Sequence, residues 1–149
     1  FNAAPGLTTD DGLIGTEPNL ARPEQRMLSS MTPTIVAKDG KLVAVIGSPG
    51  GRTIINTVLQ VILNLVDFEM GIGEAVAARR FHHQWLPDRI TIEEGGASPE
   101  VVKALEAMGH SVRVGGRQGL AHSILIDPKT GERIGAPDPR EPDGGAVGY

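Results

Sequence analysis

The apolar residues of this chain switch between two periods, and each switch marks an element. Thr34 to Lys38 and Lys41 to Gly47 are apolar, β-branched runs separated by Asp39-Gly40, a dipeptide that suits a two-residue hairpin turn because both positions tolerate positive φ. The pattern predicts a β-hairpin. From about Thr53 to Phe68 the spacing becomes helical. Ile54, Ile55, Val58, Leu59, Val61, Ile62, Leu63, Leu65 and Val66 leave only a narrow polar stripe of Thr53, Asn56, Thr57, Gln60, Asn64 and Asp67. A helix apolar over most of its circumference has to be covered on several sides. It is also too short for a membrane span, which takes roughly 18 to 20 apolar residues, and the polar stripe interrupts it.

Further along, Ile72 to Arg79 reads as a short helix and Arg89 to Glu93 alternates as a strand. Ser98-Pro99-Glu100 supplies an N-cap, a first-turn proline and a first-turn acid for a helix that ends at Gly109, with Val101, Val102, Leu105 and Met108 as its apolar stripe. Ser111 to Val114, Ala121 to Asp127 and Glu132 to Ala136 read as strands, the last two joined in a hairpin through Pro128 to Gly131. This order fits a layered α+β domain with antiparallel pairing. Residues 1–149 are expected to form one domain: an extended loop over 1–25, which carries no sustained period, and a globular part over 26–149. A structureless stretch of that length is uncommon inside a self-sufficient domain, so the leading segment is expected to lie across another piece of protein.

Composition narrows the partners. The 149 residues are 40% hydrophobic and 21% charged, ordinary for a globular fold. With 14 basic against 18 acidic residues the net charge is −4, and no run of lysine or arginine is long enough to track a phosphate backbone. Nucleic acid is therefore a poor partner. The absence of cysteine excludes a disulfide framework and a thiolate metal site. No stretch reads as a signal peptide or a transmembrane segment.

Two features carry candidate chemistry. Ser29 and Ser30 are adjacent hydroxyls within Arg26 to Thr34, and Gly47-Ser48-Pro49-Gly50-Gly51 opens the long helix. Gly50 and Gly51 have no side chains to block their backbone N–H groups, and the helix behind them adds a positive dipole end, so the turn suits a developing oxyanion. A nucleotide loop is excluded, because the stretch to Thr53 lacks the second glycine at the required offset and has Arg52 where a lysine is needed. On spacing alone, the serines and the glycine pair are more often plain turn chemistry than ligand contacts. His82 and His83 diverge as neighbours and have no acidic residue at a zincin-like offset, which favours hydrogen-bonded structural roles over a metal site. Trp85 is expected to anchor a core or a subunit contact. Asp138-Pro139-Arg140 suggests an ion pair bracing the C-terminus, with its partner left open.

Leu28-Ser29-Ser30-Met31-Thr32-Pro33-Thr34, Gly47 to Gly51, Arg80 to Asp88, Asp138-Pro139-Arg140 and Gly148-Tyr149 together resemble, in order and nearly end to end, the small C-terminal subunit of γ-glutamyltranspeptidase. The resemblance implies the four-layer αββα sandwich of the N-terminal nucleophile hydrolases, of which this chain would supply most but not all of the small subunit's share. It implies an intact enzyme that transfers a γ-glutamyl group, from glutathione or a related amide, to water or an acceptor amine through an acyl-enzyme ester. Ser29 and Ser30 would then hold the substrate's α-carboxylate together with an arginine of the large subunit. The Gly50 and Gly51 amides would form the oxyanion hole, and no metal or organic cofactor is implied. The family's nucleophile is an N-terminal threonine freed by self-cleavage of a precursor, and it would lie upstream of Phe1. Phe1 resembles the phenylalanine ending the family's Asp-Asp-Phe segment, whose acid grips the α-amino group. The isolated chain is accordingly expected to be inactive, to pair with the large subunit of the same precursor, and to self-associate without it. Family likeness also implies a periplasmic or extracellular setting. The alternative is an acylase on the same scaffold, of the cephalosporin acylase or poly-γ-glutamate hydrolase type.

Overall fold

A computed structural model describes residues 1, 5–9 and 14–148. Tyr149 of the closing motif and the Asp11-Gly12 pair of the leading segment lie outside the described residues. The hairpin forms where its turn chemistry puts it: β1 (Thr34–Lys38) and β2 (Lys41–Gly47) pair antiparallel across Asp39 at φ 52 and Gly40 at φ 73. Positive φ at both central residues matches the twist of the flanking strands. A single 3₁₀ turn, Gly51–Thr53, then leads into α1 (Ile54–Val66), followed by α2 (Ile72–Ala77). Next come β3 (Phe81–His82), β4 (Ile90–Ile92), α3 (Pro99–Ala107), β5 (Val112–Val114), β6 (His122–Ile126) and β7 (Arg133–Ala136).

The strands form two sheets. The larger has the order β1-β2-β6-β7 and is antiparallel throughout. The smaller, β3-β4-β5, departs from the expected all-antiparallel pairing, since β4 and β5 run parallel. The reason is the intervening helix: α3 carries the chain back along the sheet, so β5 starts at the same end as β4. β3 is only two residues long and has no alternation to reveal it. It is held by the polar stripe of α1, where Asn56 Nδ2 donates to the His83 carbonyl (3.1 Å) and Gln60 exchanges two bonds with the Phe81 backbone (2.8 and 3.0 Å).

The core lies between the larger sheet and the pair α1 and α2. Ala44 and Ile46 of β2, Ala121 and Ala136 beside them, Ile54, Val58 and Val61 of α1, and Ile72, Ala75 and Val76 of α2 make one buried cluster. Ile54, Val58 and Val61 repeat at helical spacing, which explains why that face is the buried one. The expected cover on several sides is not provided by this chain's described residues: Ile55, Leu59, Leu63 and Val66 on the outer side of α1 are exposed. The sheet face opposite the helices is also open. Ile35, Val45 and Ile124 lie in one cross-strand row there, with Ile35 71% exposed. None of the described helices is long and apolar enough to cross a membrane.

α3 follows its sequence signals. Ser98 Oγ accepts the Val101 N–H (3.3 Å), Pro99 opens the helix, and Gly109 at φ 94 stands beyond its last turn. In the leading segment the Gly6 N–H donates to the Gly15 carbonyl and the Gly15 N–H to the Leu7 carbonyl (both 2.7 Å), and Glu17–Asn19 makes one 3₁₀ turn. Buried Asn19 accepts the Leu28 N–H through Oδ1 (2.9 Å), while Leu7, Met27, Leu28 and Met31 remain exposed.

Candidate functional site

Register gathers the candidate residues at one end of the larger sheet. Thr34 at the start of β1 faces Ile46 near the end of β2, Gly47 faces His122 at the start of β6, and Ser123 faces Ala136 at the end of β7. The segments carrying Ser29-Ser30, Gly47 to Thr53, Arg117 to Ala121 and Asp138 to Arg140 therefore all leave the sheet on the same side. Ser30 lies four residues before Thr34 and Gly50 four after Ile46. Chain geometry keeps each within roughly 14 Å of that strand pair.

The glycine turn is built from two positions that demand glycine for different reasons. Gly50 has φ 139, and a Cβ there would stand 2.6 Å from Thr53 Oγ1. Gly51 has φ 56 with no heavy atom within 4 Å of a Cβ position, so only the backbone conformation resists a side chain there. The turn is fastened by Thr53, whose N–H (3.1 Å) and Oγ1 (2.9 Å) both donate to the Gly50 carbonyl. Among the described residues, neither the Gly50 nor the Gly51 amide donates to an acceptor within the chain. Both glycines are exposed, and a cavity of about 310 Å³ opens beside them, lined by Pro49, Gly50, Thr53, Arg117, Gly119 and Leu120. Two unengaged amides at the mouth of a helix are chemically suited to an anionic oxygen.

Ser29 is exposed and its Oγ accepts the Met31 N–H (3.2 Å); Ser30 is half-buried. Two other hydroxyls at this end bond to the backbone, whereas the buried Thr32 Oγ1 and Ser123 Oγ have no hydrogen-bond partner among the described residues. Ser48 Oγ donates to the Pro49 carbonyl (2.6 Å) and accepts the Leu120 N–H (3.0 Å), and Thr34 Oγ1 donates to the Thr32 carbonyl (3.0 Å). None of these bonds runs to a histidine or a carboxylate that would act as a base.

Behind the turn sits a cluster that sequence reading reached only at one corner. Asp138 Oδ2 accepts from Arg80 Nη1 (2.8 Å), and Arg140 Nη1 donates to Asp138 Oδ1 (3.1 Å). Arg140 also grips Glu93, with Nε donating to Oε1 (2.7 Å) and Nη2 to Oε2. Arg80 and Asp138 are each 1% exposed, Glu93 2%. Two guanidiniums thus balance two carboxylates out of water. Burial alone would raise the Glu93 pKa, but donors from Arg140 and from the Gln118 and Arg80 backbones outweigh it and hold the carboxyl below its ordinary range. For Asp138 burial is likewise overcome, by the Arg140 amide, Arg80 and the Ala121 amide, and its pKa is lowered. Arg140 is raised, because its two carboxylates outweigh its own burial.

The remaining polar candidates have local roles. Buried His82 meets Gln84 Oε1 through Nε2 (2.7 Å), and His83 meets Asp88 Oδ1 (3.1 Å). Among the described residues no three metal-binding side chains come together. Trp85 is 67% exposed and does not anchor the core, which removes that half of its expected role. Its backbone sits at φ 76 in a bent loop.

The four-stranded sheet backed by helices, with its other face open, is an α+β fold, and it matches solved structures of the N-terminal nucleophile hydrolase type. A model of γ-glutamyltranspeptidase matches residues 1–148. The chain belongs to the γ-glutamyltranspeptidase family. It is 48% identical over 149 residues to the glutathione hydrolase proenzyme of Escherichia coli strain K12, covering all of this chain and 25% of that protein. A mutant γ-glutamyltranspeptidase of Helicobacter pylori superposes with a TM-score of 0.88 at 45% identity, over 95% of this chain and 77% of that one. The γ-glutamyltranspeptidase of Pseudomonas nitroreducens complexed with L-DON gives 0.87 at 37%, over 100% and 78%. The chain spans about a quarter of the length of the curated relatives it matches.

Proposed function

We propose that this chain forms two walls of a γ-glutamyl transfer site in a glutathione hydrolase. In the complete enzyme, the γ-glutamyl group of glutathione or a related amide passes to water or an acceptor amine through an acyl-enzyme ester. Ser29 and Ser30 donate hydrogen bonds to the α-carboxylate, a task suited to hydroxyls because they satisfy an anion without adding charge. The Gly50 and Gly51 amides receive the oxygen of the tetrahedral intermediate. The observation that carries the reading is that these two amides are exposed and unengaged among the described residues. Amides held by the fold cost no reorganisation when the charge develops, which is why such donors act on the transition state.

The attacking group comes from other polypeptide. At this end of the sheet, Ser29, Thr34, Ser48 and Thr53 bond to backbone groups and the buried Thr32 and Ser123 hydroxyls have no hydrogen-bond partner among the described residues, so none of these hydroxyls is paired with a base. The open sheet face bearing Ile35, Val45 and Ile124 is suited to receive the second sheet of the sandwich, stacked about 10 Å away, from the rest of the complete enzyme, including the large subunit of the same precursor. The serine pair favours a γ-glutamyl group over the other acyl groups that the scaffold carries.

A chromogenic γ-glutamyl anilide tests this. The complete protein carrying this chain should release the chromophore, and the purified 149-residue chain should release none. Turnover by the isolated chain would place the nucleophile within it and overturn the assignment.

A further inference from the structure

Glu93 and Asp138 are buried away from the cavity at the glycine turn, yet both reach it through backbone. We infer that Gln118 to Ala121 is the back wall of the Gly50–Gly51 turn, and that Glu93 and Asp138 are positioning residues for the oxyanion amides; this rests on the function proposed above.

Both ends of the segment are fastened by the charged cluster. The Gln118 N–H donates to Glu93 Oε1 (2.8 Å), and the Gln118 carbonyl accepts from Arg80 Nη1 (2.8 Å). At the other end the Ala121 N–H donates to Asp138 Oδ2 (2.6 Å). Between them, the Leu120 N–H donates to Ser48 Oγ (3.0 Å), and Ser48 is two residues from Gly50. Gly119 fills the gap. At φ 62, a Cβ there would lie 2.4 Å from Thr57 Oγ1, 2.8 Å from Thr57 Cγ2 and 2.9 Å from Ser48 Oγ. Its Cα is already 3.4 Å from where a Gly50 Cβ would stand. The segment is thus wedged between the first turn of α1 and the glycine bend, and moving it pushes Ser48 or Gly50.

Charge balance sets how firmly it is held. Neutralising either carboxylate leaves a buried guanidinium without its match, and the backbone donors that shared that carboxylate lose an anionic acceptor. The segment then has to shift. Because the amides act on charge that exists only in the transition state, their displacement lowers kcat, while ground-state binding at Ser29 and Ser30, and with it KM, holds. A cluster that only supports folding would change the amount of folded enzyme and its melting point but not the rate per active site.

The test uses the complete processed enzyme, with active sites counted by a covalent γ-glutamyl analogue. Gly119→Ala leaves all four charges in place. Its kcat per titrated site should fall about tenfold or more with KM within about twofold of wild type, since misplacing a catalytic group by an ångström costs up to about 10² in rate. Thr57→Ala added to Gly119→Ala removes the two nearest clashing atoms and should restore part of the loss, the Ser48 Oγ contact at 2.9 Å and the strain of φ 62 remaining. If Gly119→Ala yields no titratable sites, Asp138→Asn gives the same readout, a fall in kcat at constant KM. Per-site kcat within about twofold of wild type, a rise in KM that accounts for the loss, or no rescue by Thr57→Ala would overturn the positioning role. Wild-type enzyme without any γ-glutamyl transfer would instead overturn the proposed function, so the two failures are distinct.

Discussion

Gly50 and Gly51 lack a side chain for different reasons, and substitution should separate them. Alanine at 50 meets Thr53 Oγ1 at 2.6 Å with φ at 139, so the turn must open and an amide is lost. The Gly50→Ala enzyme should lose about 10² to 10³ in kcat with little change in KM, read by steady-state anilide kinetics. At Gly51 there is room, and alanine bears only the strain of φ 56, about 1–2 kcal/mol. Ser29→Ala and Ser30→Ala should act in the opposite sense to Gly50→Ala, raising KM about tenfold or more, because a hydrogen bond to a charged group contributes about 1.5–3 kcal/mol. The serines and glycines were legible as local motifs. Glu93 was not, since its partner Arg140 is 47 residues away and nothing local marks the pair. The available signals were Asp138-Pro139-Arg140, read as an ion pair with its partner left open, and the glycines Gly115, Gly116 and Gly119, which the fold holds at positive φ.

Elements followed their periods where the period was long enough to read. The Asp39-Gly40 hairpin, α1 and α3 form within a few residues of their expected bounds. β3 escaped because two residues carry no alternation, and the parallel pairing of β4 with β5 escaped because strand direction depends on how α3 folds back. α3 offers the cleanest element-level test. None of its residues is fully buried, so its cap carries an unusual share of its stability. Ser98→Ala should cost about 1 kcal/mol, visible as a lower melting temperature and faster amide exchange confined to the first turn of α3.

At the scale of the whole molecule, two apolar faces await cover: the row Ile35, Val45 and Ile124 on the sheet, and Ile55, Leu59, Leu63 and Val66 on α1. Burying apolar area is worth about 25 cal/mol per Å², so a few hundred Å² is enough to drive association. The isolated chain should therefore run as an oligomer in light scattering, and a monodisperse monomer at high concentration would contradict this. The buried charges set the acid limit. Glu93 and Asp138 have folded pKa values below their ordinary 4.5 and 3.8, so the unfolded state binds more protons between the two sets. Their stabilisation is fully present above those ordinary values and is lost as pH falls through the folded ones. Urea midpoints of the complete enzyme should hold from neutral pH to about pH 5 and then drop, and Asp138→Asn should flatten that drop.

The central claim is that the amides of Gly50 and Gly51 face the reacting carbonyl while Ser29 and Ser30 hold the other end of the same substrate. A crystal structure of the complete enzyme trapped with a covalent γ-glutamyl analogue tests it directly. The oxygen derived from the γ-carbonyl should lie within about 3 Å of both amide nitrogens, with the α-carboxylate at the Ser29 and Ser30 hydroxyls. An oxygen held by other donors, or a carboxylate bound away from the serines, would contradict it.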